Sequence, residues 1–236
     1  MCQRIEDFGM CGRFFWNNDA EDAFEEDFPE LMRVARLQEK SLRAGDYMPS
    51  MDALAVVGRP EAGEPCDAQL LHPAEMYGAE SRGGEPFTKE PLATEFLKWG
   101  FPGFDKGKLL INARAEGVRT KRTFADSFAS RRCVFPAAGF YEWDKQKNKV
   151  TFKLEDKPIL YLAGIYKPYG AEKRFVILTR EANDSMRPVH DRMPLILTKE
   201  EVRPWVRDEE AAESILTKEL PRLAAERPYE QMTFVW

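Results

Sequence analysis

The chain has 236 residues, 43% of them hydrophobic and 32% charged, with a formal net charge of −5. That length buries a core as one domain, and the composition is that of a globular protein in water. No apolar run approaches the roughly 18 residues of a membrane span. The opening stretch carries acids and no apolar core of a secretory signal, so the expected location is cytoplasmic.

The charge is unevenly spread. Residues 1–30 hold two basic and nine acidic side chains, a net −7. Residues 114–132 hold Arg114, Arg119, Lys121, Arg122, Arg131 and Arg132 against Glu116 and Asp126, a net +4. Such a stripe is either a phosphate-binding surface on an acidic protein or an ordinary solvated face. The four cysteines, Cys2, Cys11, Cys66 and Cys133, show no CxxC spacing. A reduced protein without disulfides or structural zinc is expected, and the two histidines, His72 and His190, make a metal site improbable.

In chain order, Asn17-Asn18-Asp19 offers N-caps for an acidic helix beginning near Ala20. Pro29 interrupts it, and Leu31 to Leu42 continues in helical spacing. Ala53–Val57 reads as a short buried strand. Residues 59–91, rich in Gly, Pro and Glu, read as a surface insertion in which Cys66 and His72 are incidental. From Phe96 onward the pattern turns to strand. The runs are Leu109–Arg114, Cys133–Ala137, Phe140–Trp143, Val150–Leu154, Ile159–Ile165, Phe175–Thr179 and Leu195–Thr198. Glu155-Asp156-Lys157-Pro158 predicts a hairpin turn. Thr198-x-x-Glu201 resembles a capping box that starts a helix to about Val206, and Asp208–Leu216 reads as another helix. These elements predict an α+β fold with a mixed, antiparallel-rich, barrel-like sheet and peripheral helices.

Cys11 stands in Met10-Cys11-Gly12-Arg13-Phe14. A cysteine in this place is either a small buried hydrophobe or a nucleophile. Exposed as a new N-terminus, it would carry a thiol and an α-amine on adjacent carbons. That pair condenses with an aldehyde to a Schiff base and closes to a thiazolidine ring. An α-amine of pKa about 7.7–8.0 is partly neutral at neutral pH. If the nine residues before Met10 persist, Cys11 has no α-amine and the ring cannot form. Residues 1–9 are therefore a leader that is removed or a misassigned start, or the chain has lost this trapping chemistry.

Three polar residues lie far downstream. Asn112, in Ile111-Asn112-Ala113-Arg114-Ala115-Glu116, either holds a substrate oxygen or caps a turn. Glu142, in Gly139-Phe140-Tyr141-Glu142-Trp143, is either a desolvated proton shuttle or an outward strand residue. His190, in Pro188-Val189-His190-Asp191-Arg192-Met193-Pro194, is either a structural loop histidine or an imidazole that donates and accepts protons, with Asp191 or Arg192 beside it in the chain. Trp99 and Trp143 offer aromatic faces on which bases stack, although core packing is the commoner use of tryptophan.

Met10-Cys11-Gly12-Arg13-Phe14, Lys98-Trp99-Gly100, Asn112 to Glu116, Gly139 to Trp143 and His190 to Pro194 occur in one order over residues 10 to about 200. Together they resemble the SOS response-associated peptidase (SRAP) family of abasic-site sensors. The resemblance implies one SRAP-type domain over 10–236 and a groove for single-stranded DNA. It also implies covalent capture of the ring-opened aldehyde of an abasic site, with associated autoproteolytic and lyase activity. Carried over, Cys11 is the nucleophile, Asn112 positions the sugar oxygen, Glu142 moves protons, and His190 assists ring opening and crosslink reversal. Arg13, Arg114 and Arg122 would contact phosphates, and Trp99 would pack at the groove. No cofactor or metal is implied. The expected state is a monomer in the cytoplasm, at the nucleoid when DNA is damaged. The residues before Met10, the 59–91 insertion and the early end at Phe234-Val235-Trp236 depart from the family pattern. Two other readings stay open: a cysteine peptidase using Cys11, His190 and Asn112, and a non-covalent single-strand-binding module.

Overall fold

A computed structural model of the chain describes residues 11–38, 40, 42–58, 92–105 and 107–227. The expected leader and the expected 59–91 insertion, with Cys66 and His72, lie outside the described residues.

Five apolar runs curl into a closed barrel. Its five strands are β3 (Asp52–Gly58), β4 (Leu92–Trp99), β8 (Arg132–Ala137), β11 (Leu160–Tyr169) and β12 (Glu172–Glu181). Their order is β12-β4-β3-β8-β11, and β11 pairs back on β12. Closure removes sheet edges that would otherwise expose unpaired N–H and C=O groups. All pairings in the ring are antiparallel except β4 with β12. Buried runs such as Ala53–Val57 and Phe175–Thr179 face other elements on both sides, which is why they read as continuous rather than alternating. Inside, Phe135 and Phe175 stack with ring centroids 3.8 Å apart.

Short strands extend the barrel. β7 (Asn112–Arg114) runs parallel beside β12, and β13 (Arg192–Pro194) pairs antiparallel with the same end of β12. Thr179 thus stands opposite both Arg114 and Pro194. β14 (Ile196–Leu197) pairs with β11, and β5 (Phe101–Pro102) with β6 (Leu109–Leu110).

A second, open sheet is fully antiparallel. Its order is β15 (Leu223–Glu226), β10 (Lys149–Leu154), β9 (Gly139–Trp143), β1 (Phe14–Trp16), β2 (Gly45–Tyr47). β8 leads into β9 through Ala138, whose N–H donates to the Phe15 carbonyl at 2.8 Å. One stretch of chain therefore belongs first to the barrel and then to the open sheet. The inner face of that sheet packs on the barrel through Phe14, whose ring lies 5.2 Å from Trp99 and 6.5 Å from Phe135.

The helices lie at the periphery, as the sequence predicts. Asn17 caps α1 (Asn18–Asp27) by accepting from the Ala20 N–H at 3.0 Å. Pro29, at the first turn of α2 (Pro29–Arg36), begins a new helix because its missing N–H costs nothing there. That helix stops at Arg36, short of Leu42. The Gln38 amide turns instead to the carbonyl and hydroxyl of Thr94, at 2.7 and 3.0 Å. α3 spans Ala125–Ser130. α4 (Lys199–Arg207) carries the expected capping box of Thr198 and Glu201, and Asp208 caps α5 (Glu209–Ile215). Glu155–Pro158 is not a hairpin turn. It passes from β10 in the open sheet to β11 in the barrel, and these two strands do not pair. Local turn chemistry was satisfied by a crossing between sheets.

Candidate active site

β9 brings Glu142 into the interior. Along this strand Phe140 and Glu142 face inward, while Tyr141 and Trp143 are partly exposed on the other side. Glu142 is only 6% exposed. Burial raises its carboxyl pKa, opposed by a hydrogen bond from the Cys11 N–H and by the His190 charge.

Cys11 is fully buried at the start of the described chain, just before β1. Its φ of +52° lies in the left-handed region, unusual for a residue with a Cβ. In this conformation its backbone nitrogen donates a hydrogen bond to Glu142 Oε1. The atom that would become the α-amine of a chain beginning at Cys11 thus already touches the buried carboxylate. Burial, and then Glu142, hold the Cys11 thiol well above its ordinary pKa, so it is protonated at neutral pH.

His190 closes the turn after Met186, whose carbonyl accepts its N–H at 3.1 Å. Its Nδ1 accepts the Arg192 N–H at 3.0 Å and lies 3.0 Å from Asp191 Oδ1. A backbone N–H can only donate, so the neutral imidazole carries its proton on Nε2. A protonated imidazole instead finds an acceptor for Nδ1–H in Asp191. The Arg192 guanidinium forms a bidentate pair with Glu116, at 2.6 and 2.8 Å, and donates to the Thr179 carbonyl at 2.6 Å. Arg192 holds the Glu116 carboxyl below its usual range. This clamp ties the segment after β7 to the segment bearing His190.

The structure brings Cys11, Glu142 and His190 together. Asn112 begins β7 opposite Ile177 and is half-buried with a shielded Oδ1. Arg13 packs its guanidinium 5.5 Å from the Trp143 ring, with Nη1 3.5 Å from Asp46. Its Nε is buried without an acceptor among the described residues. Arg114 and Arg122 are exposed. Beside His190 a cavity of about 420 Å³ is lined by Trp143, Lys145 and Arg187 among others.

Two expectations need correction. Trp99 does not line a groove. It is fully buried, donates Nε1–H to the Ile111 carbonyl at 3.0 Å, and stacks on Phe175 at 5.7 Å. The ring joins the open sheet to the barrel, and its one polar atom is satisfied inside. The basic stripe is likewise interrupted. Arg132 is 4% exposed and donates to the carbonyls of Phe128, Ala129 and Trp205. Arg119 is paired with Glu213 at 2.6 Å. The role of Glu116 and the Asp46 contact were not foreseen, because their partners stand far away in sequence. The charge of Glu116 inside a basic run was the one available signal.

The site defines a class first: an α+β barrel protein holding a cysteine nitrogen against a buried carboxylate. The comparisons then give the family. The SOS response associated peptidase (SRAP) model matches residues 10–235, and the chain belongs to that family. It is similar to abasic site processing protein YoaM of Bacillus subtilis, 35% identical over 47% of this chain and 55% of that one. It thus spans about half the length of that relative. It is also similar to abasic site processing protein YedK of Escherichia coli, 33% identical over 62% of this chain and 68% of that one. A solved structure from Bordetella bronchiseptica shares the fold with a TM-score of 0.66 and 20% identity, over 93% of this chain and 100% of that one. A phage-related protein of the same organism gives 0.64 and 24%, over 93% and 95%.

Proposed function

We propose that this chain captures abasic sites in single-stranded DNA as a covalent thiazolidine at Cys11, once Cys11 is the N-terminal residue. The observation that carries the reading is the contact of the Cys11 nitrogen with the buried Glu142 carboxylate. The names of the relatives supply the substrate class.

The α-amine of Cys11 attacks the aldehyde carbon of the ring-opened sugar and gives a carbinolamine. Glu142, its pKa raised by burial, supplies the proton with which the hydroxyl leaves as water. The resulting Schiff base is attacked by Sγ. The thiol proton passes through Glu142 to the nitrogen, and the five-membered ring closes. Amine, thiol and aldehyde give one thiazolidine and one water. The raised thiol pKa keeps sulfur protonated until the ionised Glu142 takes its proton. His190, held with its proton on Nε2, takes part in opening the sugar and in reversal. Asn112 orients the sugar oxygen, and Arg13, Arg114 and Arg122 meet phosphates. A Schiff base that fails to close releases the 3′ phosphate by β-elimination, the lyase outcome.

The same contact serves release of the preceding residues. Sγ adds to the Met10 carbonyl, the Met10–Cys11 C–N bond breaks, Glu142 protonates the departing amine, and water hydrolyses the thioester. A thiolate peptidase with Cys11, His190 and Asn112 fits less well, because the thiol pKa is raised and Glu142 is the group at Cys11. Among the described residues no helix is long and apolar enough to cross a membrane, and no three candidate ligands cluster around a metal position.

Intact mass before and after incubation with a single-stranded oligonucleotide bearing one abasic site tests the reading. A mass starting at Cys11 and a one-to-one adduct that survives heating are expected. Cys11 free at the N-terminus with no adduct would overturn it.

A further inference from the structure

The outer face of the open sheet carries a ladder of aromatic rings and cations that the chemistry at Cys11 does not use. Phe15 on β1 and Tyr141 on β9 stack with centroids 5.0 Å apart and planes 18° from parallel. Phe15 pairs in register with Gly139, where a Cβ would come within 2.7 Å of its ring. Glycine at that position lets the ring lie against the strand. Lys149 holds its Nζ 3.5 Å from the centre of the Tyr141 ring, and Lys153 holds its Nζ 6.0 Å from that of Phe15. Phe15, Tyr141, Lys149 and Lys153 are all partly exposed. The ladder continues, through Trp143 under Arg13, to the cavity beside His190.

We propose that this sheet face is a binding platform for the single-stranded nucleic acid that flanks the captured nucleotide, a proposal that rests on the reading above. Bases stack on Tyr141 and Phe15, and neighbouring phosphates draw Lys149 and Lys153 off the rings that they cover in the free protein. Both halves of the device are general: base–aromatic stacking tolerates any sequence, and flexible lysines neutralise the backbone. A sheet face with aromatics on two adjacent strands and lysines on the next strand suits an extended polyanion with planar bases. An acidic partner without planar groups would leave the rings unused. Two carboxylates bracket the face. Glu226 on β15 takes Lys153 at 3.0 Å, and Asp46 on β2 takes Arg13 at 3.5 Å. They compete with phosphates and set how tightly undamaged strands are held.

The test pairs variants of opposite sign. Binding of oligothymidylate without an abasic site is measured against salt concentration. Lys149→Gln with Lys153→Gln is expected to lower the magnitude of the salt slope by about 1.4, at about 0.7 per phosphate contact on single strands. Glu226→Gln is expected to tighten binding severalfold by freeing Lys153. Tyr141→Ala is expected to weaken binding about 10-fold, the size of one lost base stack. Trapping is then compared on two abasic oligonucleotides, one with a single flanking nucleotide on each side and one with long flanks. The lysine variant should trap the short strand like wild type and lose the advantage of the long one. Unchanged salt slope and affinity in the lysine variant, or no tightening in Glu226→Gln, would overturn the platform. If wild type traps neither strand, the capture reading fails, and the oligothymidylate measurement still decides the platform.

Discussion

At Glu142, two demands meet on one carboxyl. Burial favours its neutral form, while the Cys11 N–H favours the anion, and the balance leaves the pKa raised. Replacing Glu142 by Gln keeps an acceptor for the N–H and removes the proton carrier. The expected loss in trapping rate is about 10²- to 10⁴-fold, read in single-turnover crosslinking with a chain beginning at Cys11. Stability gives a second readout. An acid whose folded pKa is raised binds its proton more tightly in the native state, so its contribution is lost as pH rises from the ordinary Glu value through the folded one. The melting temperature of Glu142→Gln should therefore gain on wild type at neutral pH and converge with it at mildly acidic pH.

Among the elements, β8 with its continuation β9 does the most positioning. Its first residue, Arg132, turns inward and satisfies the carbonyl ends of α3 and α4, while its far end presents Glu142. Removing the guanidinium leaves buried carbonyls without donors. Arg132→Ala should therefore cost about 3 kcal/mol in denaturant unfolding, far more than a surface arginine. Trp99, at the end of β4, makes the parallel case. Its Nε1–H bond and its stacks on Phe175 and Phe14 join barrel to open sheet, so Trp99→Ala should cost about 3–5 kcal/mol. Weakened DNA binding with unchanged stability would instead return Trp99 to the groove.

Across the whole molecule net charge is negative, so the proposed capture of DNA requires a local array of cations. Arg114 and Arg122 are exposed and come from separate segments, whereas Arg132 is buried and Arg119 is paired. Arg114→Ala with Arg122→Ala should weaken binding of single strands and lower the salt slope by about 1.4, measured by fluorescence anisotropy over a salt series. Arg119→Ala should leave the slope nearly unchanged, because its charge is already engaged by Glu213.

The sequence by itself determined what is local. Asn17, the Thr198–Glu201 box and Asp208 marked helix starts because a cap needs only its own next turn. The apolar runs marked most barrel strands because burial on both faces leaves no other pattern. The short motifs singled out Cys11, Asn112, Glu142 and His190 as candidates, and the fold sets the first of these against Glu142. Strands β1, β2 and β15, of three or four residues, were not legible, since so short a run has no period to read. Tertiary structure alone decided which groups meet. It set the Cys11 nitrogen on Glu142 across 131 positions of chain and paired Arg192 with Glu116 across 76. It also sent Trp99 and Arg132 inward. An aromatic ring or a guanidinium has the same propensity at a groove and in a core, and the partners that satisfy its polar atoms come from distant segments, so only the closed barrel and the sheet packed on it could assign each its place.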